Sequence, residues 1–158
     1  MAKHYVYRMD HDTGFAPNTK HGLCTVCGCK RTTIEAWAKE GSWVVGIGGK
    51  VTGRPNKLIY AMEVEEALPY SEFSTRYTAK SKYLEKGHPG PNVLISRKFY
   101  YFGNNAIDLP KELTHIIIDR QGCKRVSEED IAKLKAFRLR AGYQDGEHGK
   151  PNNPGKSC

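Results

Sequence analysis

The chain has 158 residues, 39% hydrophobic and 27% charged, with a net charge of +8. That length suits one domain with a real core, and no apolar run approaches the roughly 20 residues of a membrane-spanning helix. The N-terminus "MAKHYVYRMD" lacks the apolar stretch of a signal peptide, so a cytoplasmic location without membrane contact is expected, and five cysteines make a disulfide framework a poor expectation.

"HYVYRM" (4–9) alternates aromatic and β-branched residues and reads as an opening strand. From Asp10 to Arg31 the periodicity vanishes, and Gly14, Pro17, Asn18 and Gly22 mark a long loop of the kind that tends to carry function. Thr32 stands three residues before Glu35, a capping-box pattern, so a short helix is predicted through Trp37 and Lys39, closed by Gly41. "SWVVGIGG" (42–49) and "KLIYAMEVEEAL" (57–68) read as strands, and "PYSEFSTRY" (69–77) as a short helix with Ser71 as its cap. Residues 79–92, rich in Lys, Gly and Pro, are expected to be mobile. Strands are predicted over 92–103 and 115–119. The plainest helix lies over 127–142, where Ser127 caps, three acids fill the first turn, and Gly142 ends the run. Ile131, Leu134 and Phe137, with Ala141, form its inward stripe. Residues 144–158 read as a disordered tail behind a single domain over 1–143. Helices and strands do not alternate regularly, so a doubly wound sheet is disfavoured. An α+β fold is expected, with a small, strongly bent mixed sheet or barrel and peripheral helices.

The basic excess is uneven. Residues 1–60 hold nine Lys/Arg against four Asp/Glu, and residues 111–158 hold ten against seven. Such a surface attracts polyanions, and the expected partner is a nucleotide or nucleic acid.

The loop ahead of the first helix supports three readings. His21, Cys24, Cys27 and Cys29 follow an H-x2-C-x2-C-x-C spacing that offers four zinc ligands, but the usual second ligand pair has no regular place; His115 and Cys123 could supply it, or all four could ligand from one tight loop. Neither a metal nor a cofactor is assigned. Alternatively Cys29, beside Lys30 and Arg31 and near a helix N-terminus, has the surroundings of a reactive thiolate, with Cys24 as its substitute and His21 or Asp12 as acid/base. Third, Lys30, Arg31, Thr32 and Thr33 at a helix entrance offer a phosphate cradle. Farther on, Phe99, Tyr100, Tyr101 and Phe102 are consecutive, and Arg97 and Lys98 precede them. Exposed aromatics beside cations stack nucleobases, whereas Trp37 and Trp43 read as core.

Taken together, "DTGFAPN", "HGLCTVCGCKR", "GSWVVGIGGK", "GRPNKLIYAMEVEEALPYSEF" and "VLISRKFYYFG" resemble the second type of nucleotide-modification-associated domain, a family of bacteria and phages, over residues 3–120. "GSWVVGIGG" and "LIYAMEVEEALPYSEF" are also similar to strands of PUA-like barrels, including the EVE and ASCH groups. The resemblance implies a modified-base or nucleotide-binding protein tied to DNA modification or defence. On that reading Lys30, Arg31 and Thr32 take phosphate, Phe15, Tyr100 or Phe102 stack the base, Asn18 or Asp12 reads its edge, and Arg97 assists. A nucleotide-modifying enzyme using Cys29, and a zinc-stabilised interaction domain, are the alternatives.

Overall fold

β1 (His4–Met9) turns Tyr5, Tyr7 and Met9 into one core and Val6 into another, so it is buried along nearly its whole length. In the computed structural model, which describes residues 2–20, 22–27, 32–77 (without the Thr32 side chain) and 92–154, β1 runs parallel to β3 (Trp43–Gly48). β3 continues antiparallel to β4 (Leu58–Glu63), and β4 to β7 (Phe99–Tyr101). Two short strands close the edges, β8 (Cys123–Val126) against β1 and β9 (Gly146–Glu147) against β7. The six-stranded order is β8-β1-β3-β4-β7-β9. A second sheet, β2-β6-β5, joins β2 (Cys24–Val26), β6 (Asn92–Ser96) and β5 (Glu66–Pro69), all antiparallel. The fold is α+β. The sheets stay open, so of the two forms expected, a small mixed sheet or a PUA-like barrel, the mixed sheet is the one observed, with a second sheet packed on it.

Alternation along the strands divides the core. Tyr5, Tyr7, Met9, Tyr60, Met62 and Tyr101 face the small sheet's Cys24, Val26 and Leu94. Val6, Trp43, Val45, Ala61 and Tyr100 face the other way, against Ile131 and Leu134 of α3 (Glu128–Ala141). The small sheet's outer face packs Cys27, Val93 and Ile95 on Phe73 of α2 (Tyr70–Arg76). α1 (Thr32–Trp37) covers one side of the inter-sheet core with Ile34.

Several expected strands break where the chain changes sheet. The predicted strand over 57–68 splits at Val64 and Glu65 into β4 and β5, and that over 92–103 splits at Arg97 and Lys98 into β6 and β7. Residues 115–119 form no ladder; a 3-10 run over Lys111–Ile116 replaces them, held by the Leu113 amide on the Pro110 carbonyl. The loop over 10–31 contains β2. The expected disordered tail is also corrected, since residues 144–154 are laid against the sheet through β9 and a further stretch bonded to Asp12. The lysine- and proline-rich segment lies largely outside the described residues.

Candidate nucleotide site

Three chain segments converge at the β9 edge of the large sheet. Asn18 and Thr25 exchange both backbone hydrogen bonds, at 2.9 and 3.0 Å, and so close the intervening residues into a tip. The Asn18 side chain accepts from the Lys20 amide at 3.2 Å, and Gly22 turns the tip with φ +74°, a conformation open to glycine. The second segment is the turn between β6 and β7. Ser96 Oγ donates to the Glu63 carbonyl at 2.5 Å and accepts from the Lys98 amide at 2.8 Å, while the Arg97 amide donates to Glu65 Oε1. With the turn's backbone held this way, the Arg97 side chain is left to reach outward. The third segment is β9, whose Glu147 Oε1 accepts from Thr19 Oγ1 at 2.5 Å. Between them lies a hollow of about 330 Å³, floored by Phe99 and lined by Thr19, Lys20, Arg97 and Glu147. Among the described residues neither the Lys20 ammonium nor the Arg97 guanidinium has an ion-pair partner. Asp145, also on the rim, is bound to Arg138 at 3.1 Å.

Behind this hollow Asp12 is fully buried. The Tyr101 hydroxyl donates to it at 2.7 Å, and the Asn152 amide and side chain donate at 3.0 and 2.9 Å. Loss of water pushes the Asp12 carboxyl above its ordinary value, against the pull of these donors. Burial likewise drives the Tyr101 phenol up, and the neighbouring Asp12 charge adds to it. With its oxygens occupied and no path to solvent, Asp12 holds the C-terminal segment in place and cannot read a base edge or act as a general acid.

The family model for nucleotide modification associated domain 2 matches residues 1–87 and 75–156. The chain belongs to this family. No curated protein and no solved structure matches it.

Within this nucleotide modification associated domain the expected site residues separate into groups. Arg97 lines the hollow, whereas Asn18 is buried beside it and acts through its hydrogen bond from the Lys20 amide. Phe15 is buried in the inter-sheet core. The stacking role expected of Tyr100 and Phe102 is corrected, because both rings are buried. Tyr100 lies on the α3 side of the sheet, 6.3 Å from Trp43 with the Arg138 guanidinium over it, and Phe102 packs edge-on to Tyr143 at 4.8 Å. The reason is topological: β7 lies between β4 and β9 and is covered on both faces, so consecutive aromatics there are core.

The cysteine readings also change. Cys24 faces the inter-sheet core, 3.7 Å from Met62 Sδ, whereas Cys27 packs on the opposite face of the small sheet. Two thiols turned apart in this way cannot share one ion, and among the described residues no group of three or more His, Cys, Asp or Glu side chains is placed to hold a metal. Burial raises the Cys24 thiol far above its ordinary value, which suppresses the thiolate a nucleophile needs. Neither His115, paired with Asp130 at 2.8 Å, nor Cys123 belongs to any group placed to hold a metal among the described residues. His21, Cys29, Lys30, Arg31 and the Thr32 side chain lie outside the described residues.

Lys20, Thr19 and Glu147 escaped the sequence reading. Lys20 stands between Asn18 and Gly22, both turn formers, which is the available signal for a cation presented at a tip. Glu147 sits in a polar stretch with no such signal.

Proposed function

We propose that the domain binds a nucleotide or a modified nucleobase in the hollow between Thr19 and Lys20 on one side and the Arg97 turn on the other, as a recognition module in DNA-base modification or defence. The observation that carries this reading is the pair of cations. Lys20 and Arg97 come from separate segments, line one hollow, and have no ion-pair partner among the described residues. A phosphate placed there gains two charge-assisted contacts. Glu147, anchored through Thr19, offers a carboxylate to a donor on the base or sugar. A volume of about 330 Å³ suits one nucleotide rather than a larger ligand. Membership of the nucleotide modification family supports the same ligand class, and the buried state of Cys24 and Cys27 favours binding over thiol chemistry at those two positions.

Calorimetric titration of deoxynucleoside monophosphates into wild type, Lys20→Ala and Arg97→Ala tests the reading. Each substitution is expected to weaken binding about tenfold, the scale of one charge-assisted hydrogen bond. The matching nucleosides should bind less tightly than the monophosphates. Equal affinity for nucleoside and monophosphate, or unchanged affinity in both variants, would overturn the proposal.

A further inference from the structure

At the opposite edge of the large sheet, Trp37 is 62% exposed while the chain's other tryptophan, Trp43, is 7% exposed. The local cause is the phase of α1. Ile34 and Glu35 point inward and Ala38 follows them into the core, which leaves Ala36 and Trp37 outside. The indole leans against Tyr5, with ring centroids 6.5 Å apart and planes tilted by 40°. Tyr5 is in register with Arg125 of β8, so the two residues lie side by side on the same sheet face. Lys3 precedes β1 and Lys39 follows α1. Together Lys3, Tyr5, Ala36, Trp37, Lys39 and Arg125 line a hollow of about 480 Å³ that contains no carboxylate.

What sets this hollow apart is that three cations line it with no acidic side chain among them. Among the described residues Lys3, Lys39 and Arg125 have no ion-pair partner. A large exposed ring flanked by three cations offers an anionic partner with flat apolar faces both a stacking surface and opposite charge.

We infer that this face docks single-stranded DNA, with an unpaired base stacked on the Trp37 indole and the neighbouring phosphates on Lys3, Lys39 and Arg125. Stacking needs a base whose face is free, which a duplex does not offer. The phosphate oxygens that the three cations meet are common to DNA and RNA, and no lining group requires a 2′-hydroxyl, so a strand without one suffices. Three like charges on each side oppose a second copy of the chain as occupant. The surface is separate from the Lys20–Arg97 hollow and does not depend on that reading.

Anisotropy of a labelled oligo(dT) of about 12 nucleotides, a length in the range such platforms cover, tests the inference on the full chain. Wild type is expected to bind saturably, with intrinsic tryptophan fluorescence quenched as Trp37 is covered. The salt slope should be about −2, from about 0.7 per phosphate contact on a single strand. Trp37→Ala should weaken binding about tenfold and abolish the quench, Trp37→Phe should retain most of the affinity, and Arg125→Ala should lower the slope by about 0.7. Lys20→Ala and Arg97→Ala should bind the strand as wild type does, which separates a failure here from a failure at the nucleotide hollow. Equal affinity for duplex, unaltered affinity in a folded Trp37→Ala variant, or tenfold tighter binding of the matching RNA would overturn the assignment. So would self-association that Trp37→Ala abolishes, since the occupant would then be a second copy.

Discussion

A carboxylate with no water around it depends wholly on its donors, and Asp12 has them from two distant parts of the chain, Tyr101 and Asn152. Replacing it by Ala strands those donors and should cost about 3 kcal/mol in urea unfolding, since each orphaned buried donor costs about 1–3 kcal/mol. Asp12→Asn keeps an acceptor and should cost less. The two also differ in pH response. Burial raises the folded-state value above the ordinary 3.8, so the folded chain holds this proton more readily than the unfolded one. The stabilisation is therefore complete below 3.8 and is lost as pH rises through the folded-state value. Relative to Asp12→Asn, which does not titrate, wild type should gain stability as pH falls from 7 toward 4. An identical difference at both pH values would remove the argument. None of this was legible from "DHDTGF", because the second half of the Asp12 site lies 140 residues away in a polar stretch that carries no periodic signal.

Elements whose own residues encode their limits were readable; elements defined by a partner were not. α3 shows the first case. Its Ser127 side chain accepts from the Asp130 amide at 3.0 Å, and Gly142 ends it in a left-handed turn at φ +77°. Ser127→Ala should cost about 1 kcal/mol, read as a lower urea midpoint with an unchanged m-value. A changed m-value would mean that the cap does more than satisfy one amide. The inward stripe was also readable through Ile131 and Leu134, although Ala141 at its end is exposed. β8 and β9 show the second case, because their side chains are largely polar or absent and only pairing with β1 and β7 makes them strands. The aromatic run at 99–102 misled for the same reason. Consecutive rings signal an exposed face only on a strand covered on one side, and the position of β7 between β4 and β9 is not written in its own residues. Trp37 is the converse, a residue type usually buried that one turn of helix phase leaves outside.

At the scale of the whole molecule, the two proposed surfaces occupy opposite edges of one sheet, β9 with the nucleotide hollow and β8 with the Trp37 face. Five strand spacings separate those edges, about 24 Å at about 4.8 Å each, so a single nucleotide bound at one touches nothing at the other. Their mechanical support differs too. The β9 edge is held from the C-terminal segment: Asn152 bonds Asp12, the Lys150 amide donates to Asn104 Oδ1 at 3.0 Å, and His148 stacks on Phe102 at 5.5 Å. The β8 edge rests on β1 and α3 and takes nothing from that segment. Asn152→Ala should therefore loosen β9 alone, raising hydrogen exchange at the Gly146 and Glu147 amides while the β1 and β3 amides keep their protection. Because Glu147 then loses its fixed position over Thr19, nucleotide affinity should fall several-fold, and oligo(dT) affinity should stay at the wild-type level. Parallel losses at both surfaces would mean that the sheet transmits the change from edge to edge, and the picture of two independently supported sites would fail.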